Sequence, residues 1–255
     1  MTDRDSTIVR PADGRTYFGI PPVTVENGQP ALTILVGNYA PYIFRDKSGN
    51  WSGKEFDLIA AVATQAGVRL RPLEQTHWRR NLRHAAKGEI ALIPSVTATP
   101  KNQHRYSLLF KTISMGVSLI VDERNKAFAP TKATELITQG KTWGFQEGVY
   151  YSAEFHNLIQ TSAPFASHFE PVAGFGLNKK KLLGKRISGY LDLEYRCSTP
   201  PNLYRIPLPF FDKTGWFLAA SDSVPAEIKD RLFNAAALLE SAGTLDSIRS
   251  KNYCN

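Results

Sequence analysis

The sequence has little of what metal-binding and catalytic chains usually carry. Its 255 residues include only two cysteines, Cys197 and Cys254, far apart and without metal-ligand spacing. They either pair in an oxidising compartment or stay free, and their positions leave both open. His84, His104, His156 and His168 also sit at no metal spacing and read as surface residues. There is no Gly-x-Ser-x-Gly elbow, no His-Glu-x-x-His helix and no glycine-rich phosphate loop. Neither a metal nor a cofactor is therefore expected. No apolar run reaches the roughly 18 residues of a membrane span. The opening stretch MTDRDSTIVRPADGRTYFG lacks the apolar core of a signal peptide. If the protein is exported, its leader lies outside this sequence.

What is present is ordinary globular material. Hydrophobic residues make up 42% and charged residues 21%, which excludes a disordered chain and suits one large domain or two small ones. The formal net charge of +8 admits nucleic acid, anionic lipid or an acidic ligand. The basic residues are scattered, however, apart from WRRNLR and NKKKLLGKR, and no recognition motif accompanies them, so nucleic acid is not an expected partner.

Residues 1–30 are polar, with Pro and Gly, and read as an extension with little regular structure. ALTILVG then reads as a strand and KEFDLIAAVATQAG as a helix, with Phe56, Ile59, Ala60, Ala63 and Ala66 at helical spacing and Gly67 at its C-terminal cap. VRLRPL reads as a strand, HWRRNLRHAAKGE as a helix and IALIPSV as a strand. That alternation predicts an α/β unit with a largely parallel sheet, and ligands sit at the carboxyl ends of such strands. A second block starts at VSLIV. It continues with helices over ATELITQGK, VYYSAEFHNLIQ and NKKKLLGKR and strands over TWGFQEG, ISGYLDL and TGWFLAAS, with a Pro-rich loop before the last. Two helices close the chain, with Leu232, Ala235, Ala236 and Leu239 on one face.

Five stretches in order carry a resemblance: YAPYIF, GKEFDLIAAVATQAG, SVTATPKN, GKTWGFQEG and LFNAAALLESAGTLDSIRSKNY. Together they resemble the polar-amino-acid type of extracytoplasmic solute-binding proteins of ABC importers, over about residues 31–253. The resemblance implies a two-lobed, type II periplasmic-binding-protein-like α/β fold with two hinge crossings. Lobe 1 would be 31–113 plus 217–255, and lobe 2 would be 114–216. It implies a monomer that closes like a flytrap on a small-molecule ligand, works outside the cytoplasm and is read by a membrane importer permease. Two alternatives share the fold: the ligand-sensing domain of a signalling receptor, and an enzyme like the cyclohexadienyl dehydratases, which would need a desolvated acid such as Glu55, Glu147, Asp192 or Glu194.

Where the family's loop has an arginine that clamps the ligand carboxylate, this chain has Asn102, which brings no charge. Arg105 replaces it if the loop is re-spaced; Lys101, Arg79 and the amides of 149–152 are other candidates. The family's Gly-x-Asp is here Gly53-Lys54-Glu55, and the acid for a ligand cation is Asp192 or Glu194. The residues read themselves add Tyr39, Tyr42, Trp51 and Trp78 as aromatic walls and Ser95 and Thr97 as hydroxyls at a strand end. Gln146 and Tyr150 belong to a turn that opens a helix.

Overall fold

A computed structural model describes residues 17, 19–74, 78–173, 176–193, 199 and 201–254. The chain divides into two compact units: residues up to Ile113 together with those from Gly215 onward, and Ser114–Thr214.

The first unit is built on a six-stranded sheet. Its strands are β1 (Val23–Glu26), β2 (Gln29–Val36), β5 (Arg69–Glu74), β6 (Leu92–Thr97), β7 (Ser107–Met115) and β13 (Thr214–Ala220). The order runs β1-β2-β6-β13-β7, with β5 also paired to β2. Ala31–Val36 is buried throughout because both faces of the sheet are covered, which is why the run is apolar without alternation. β2 is parallel to β5 and β6, but β1 pairs antiparallel with β2 and β13 with β6. The sheet is thus mixed, not largely parallel: β1 returns through a tight turn, and β13 arrives from the chain's last third. β1 also lies inside the stretch expected to have little regular structure.

Between these strands lie the hairpin β3 (Phe44–Arg45) with β4 (Trp51–Ser52), and the helices α1 (Lys54–Gln65), α2 (Trp78–Ala86) and α3 (Pro100–Arg105). The long α7 (Ala226–Ser241) and α8 (Thr244–Ser250) close the unit. At the end of α1, Gly67 takes the left-handed conformation a terminating residue needs (φ +63). Arg231 of α7 donates to the carbonyls of Ala66 and Gly67 there, where a cation suits the helix end.

The second unit holds a five-stranded sheet, ordered β10 (Phe169–Val172), β9 (Trp143–Gln146), β11 (Gly189–Leu193), β8 (Val117–Asp122) and β12 (Leu203–Pro207). It is flanked by α4 (Ala153–Thr161), α5 (Ala163–Ala166) and α6 (Leu177–Leu183). Its core is aromatic: Trp143, Phe155, Phe165, Phe169 and Phe211 are all buried together. The indole of Trp143 donates to the Leu136 carbonyl at 2.8 Å, satisfying a polar group that burial would otherwise strand. Three expectations fail in this unit. ATELITQGK forms only a 3-10 turn over Ala133–Leu136. β10 lies in a stretch to which no element was assigned, and β12 lies in the supposed Pro-rich loop.

Candidate ligand-binding site

In the first unit Ser95 lies within β6, where the strand's register with β13 shifts, and has φ +57, a left-handed value uncommon for a residue with a side chain. In that conformation the Ser95 amide donates to Glu55 Oε1 at 2.8 Å and its hydroxyl donates to Oε2 at 2.5 Å. Thr112 of β7 adds a third bond, from Oγ1 to Oε1 at 2.8 Å, with the Trp216 carbonyl 3.1 Å away. Glu55 is completely buried. Burial pushes its carboxyl up to about 7, against the pull of the Ser95 and Thr112 hydrogen bonds, and no cation contributes.

Tyr39, half-buried beyond β2, has its hydroxyl 2.9 Å from Ser95 Oγ. Burial, and then the charge of Glu55, hold its phenol well above the ordinary range, with Ser95 pulling the other way. Tyr39, Ser95 and Glu55 thus form one hydrogen-bonded chain from a half-buried residue to a buried acid.

The other expected residues of this unit lie around it. Tyr42 is buried, with its ring edge-on to Trp216 at 5.3 Å. Thr97 is half-buried, and its carbonyl accepts from the Asn102 side chain at 2.9 Å. The Asn102 amide is in turn capped by Thr99 Oγ1 at 3.2 Å, so Asn102 is spent on shaping the start of α3. Arg105 is exposed at the end of α3, with no ion pair among the described residues. Trp51 is covered by the Arg45 guanidinium, 4.3 Å from its ring centre. Trp78 opens α2 and packs on the core cluster of Leu35, Ile90 and Ile93. The side chain of Arg79 is not among those described.

In the second unit the Gln146 amide, at the end of β9, donates to the hydroxyl of buried Tyr151 at 3.0 Å. Tyr150 is half-buried and stacks on His156 at 4.8 Å and 11°. His156 is therefore no simple surface residue: burial lowers its pKa below the ordinary value, partly offset by a hydrogen bond to the Val149 backbone. His84 and His168 are likewise half-buried, His84 bonded to Glu89, whereas His104 is exposed. Ser152 caps α4 through a 3.0 Å bond from the Phe155 amide. Asp192 is buried on β11 with the Arg205 guanidinium 3.6 Å away, so its charge already has a partner. Glu194 and Cys197 lie outside the described residues, and Cys254 is disulfide-bonded.

Sequence reasoning missed Thr112 and Arg205, because the strands that carry them were not assigned. Thr112 sits beside Ile113, buried in SLLFKTISM, a pattern that could have given it away. Among the described residues no cluster of His, Cys, Asp or Glu is fit for a metal, and no helix is long and apolar enough to cross a membrane.

Residues 32–253 match the sequence profile of the bacterial extracellular solute-binding proteins, family 3. The chain belongs to that family. No curated protein matches it by sequence. Among solved structures, an ancestral arginine-binding protein bound to glutamine is similar at 18% identity, with TM-score 0.71 over 88% of this chain and 98% of that one. An amino-acid ABC transporter substrate-binding protein from Streptococcus pneumoniae, bound to L-arginine, gives 0.68 at 18% identity over 86% and 92%. An ancestral amino-acid-binding protein described as a precursor of cyclohexadienyl dehydratase gives 0.65 at 16% identity over 86% and 92%. At such identities the likeness shows the fold, the type II periplasmic-binding-protein fold of this family, and leaves the ligand to the site itself.

Proposed function

We propose that this family 3 protein binds a small polar or cationic solute, an amino acid or a close analogue, without changing it, and passes it outside the cytoplasm to the permease of an ABC importer. The observation that carries this reading is the Tyr39–Ser95–Glu55 chain in the carboxyl-terminal half of β6, toward the end at which α/β sheets place ligands. A non-glycine residue held in a left-handed conformation costs on the order of 1–3 kcal/mol, and such strain is kept where a site needs it. Solved relatives bound to glutamine and to L-arginine support the same ligand class. With Asn102 committed to the Thr97 carbonyl, the exposed Arg105 of α3 is the cation this reading assigns to a ligand carboxylate.

A dehydratase reading draws on Glu55, whose carboxyl near 7 is poised for proton transfer. Both of its oxygens are filled by protein donors, however, and the residue is fully buried, so binding is the reading preferred. A thermal-shift screen of L-arginine, L-glutamine, polyamines, opines and sugar acids tests it. A true ligand at 100 times its Kd should add about 2.7 kcal/mol. No shift with any of these, together with turnover of prephenate or arogenate, would reverse the choice.

A further inference from the structure

The buried acid and the phenol of half-buried Tyr39 are joined through a hydroxyl that has only one proton to give. Ser95 Oγ stands 2.5 Å from Glu55 Oε2 and 2.9 Å from Tyr39 Oη, and either hydroxyl of the second pair can be the donor. With Glu55 ionised, Ser95 must donate inward to the carboxylate, and Tyr39 then donates to Ser95. The Tyr39 oxygen is left to present lone pairs away from the chain. With Glu55 protonated at Oε2, the order reverses: Glu55 donates to Ser95, Ser95 donates to Tyr39, and the phenolic proton turns outward. Oε1 keeps the Ser95 amide as donor in both states, and the single proton of the Thr112 hydroxyl is shared between Oε1 and the Trp216 carbonyl.

We propose that Glu55 is a positioning residue that sets, through Ser95, whether Tyr39 offers an acceptor or a donor to the ligand, so that its ionised state selects for ligand nitrogen donors such as ammonium or guanidinium. In its ligand arm this rests on the binding function proposed above; in its proton arm it does not. The raised carboxyl of Glu55 brings the switch into the neutral range, and the phenol of Tyr39, pushed far higher, does not itself ionise there.

Several charged groups on the elements packed against α1 are engaged elsewhere, while Lys111 of β7 and Glu227, Lys229 and Asp230 of α7 make no ion pair among the described residues. Arg249 of α8 donates to the Thr112 carbonyl and pairs with Glu240 and Asp246. Arg231 of α7 caps the far end of α1. Arg69 and Arg71 of β5 face Glu26, and Glu74 of β5 pairs with Arg45. Asp57, on α1 itself, accepts from Tyr253. Tyr39 feels the charge of Glu55.

The test is a titration by 13C NMR from pH 5 to 9, with glutamate carboxyl and tyrosine Cζ labels. One glutamate resonance should titrate with a midpoint near 7 and vanish in Glu55→Gln. The Tyr39 Cζ shift should follow the same midpoint, although the phenol stays protonated. In Ser95→Gly, which suits the left-handed backbone and removes the hydroxyl, Glu55 should still titrate while Tyr39 no longer follows. In parallel, L-arginine should bind about tenfold more weakly at pH 5.5 than at pH 8.0 in the parent protein, and equally at both in Glu55→Gln. A Tyr39 resonance flat across the titration overturns the proposal, as does a pH dependence of L-arginine binding that survives Glu55→Gln. If L-arginine binds at neither pH, the binding function loses its support, and the Tyr39 titration still decides the relay.

Discussion

Glu55 is where the sequence was most informative and most misleading. Its place in Gly-Lys-Glu marked it for the site, but nothing in the residue letters said that the acid would be sealed under Ser95 and Thr112. Burial of an acid with hydroxyl and amide donors and no cation makes the protonated form the cheaper one. The folded carboxyl at about 7 stands above the ordinary 4.5, so the folded state holds more protons between those values. Stability therefore falls as pH rises from about 4.5 to 7, by on the order of 3 kcal/mol. Urea unfolding should show that slope, and Glu55→Gln should flatten it and gain stability at pH 8 relative to the parent. Asn102 carries a different lesson. Its sequence position marked a ligand clamp, whereas the structure spends its side chain on the Thr97 carbonyl. Asn102→Ala should cost about 1 kcal/mol of stability by denaturant unfolding. Arg105→Ala, at an exposed position, should change stability by less than about 0.5 kcal/mol yet weaken a carboxylate-bearing ligand at least tenfold in calorimetry.

Elements with long periodic patterns were legible, and those shaped by their neighbours were not. α1 was predicted over nearly its true span, but its buried stripe is Glu55, Leu58, Ile59, Val62 and Ala63, rotated from the expected one. The reason is that a hydrogen-bonded glutamate took a core position that a pattern of apolar residues assigns to Phe56. β10 and β12 escaped because they are short and interrupted by Pro171 and Arg205, and only pairing with neighbouring strands makes them regular, whereas the apolar run of β7, broken only at Lys111 and Thr112, was there to be read. The start of α1 depends on one residue that the pattern explains well once the structure is known. Gly53 has φ +124, and a Cβ there would meet the Tyr42 carbonyl carbon at 2.6 Å. That carbonyl accepts from the amides of Glu55 and Phe56. Gly53→Ala must displace backbone rather than a flexible side chain, so it should cost about 2–3 kcal/mol or more and shift the amide resonances of the first turn of α1.

At the scale of the molecule, the two blocks were legible as an alternation of strands and helices. The detailed sheet order was not, because β13 inserts between β6 and β7 from far along the chain. Each unit has its own core, so each should have its own stability. Phe155→Ala opens a cavity among Phe165, Phe169 and Phe211 and should cost about 3–5 kcal/mol. Hydrogen exchange should then accelerate across Ser114–Thr214 while the amides of β2 and β6 keep their protection; uniform acceleration would mean that the units unfold as one. The chain leaves the first unit after Ile113 and returns at Gly215, on β7 and β13, which are neighbours in the same sheet. The second unit is thus an insertion between two adjacent strands, and closing a short loop in its place carries little entropic cost. A variant with Ser114–Thr214 replaced by a short Gly-Ser turn should retain the first unit's sheet and the elevated Glu55 carboxyl, since Ser95, Thr112 and Tyr39 all remain. Far-UV circular dichroism and the glutamate titration together would show it, and loss of cooperative unfolding in that variant would prove the first core insufficient by itself.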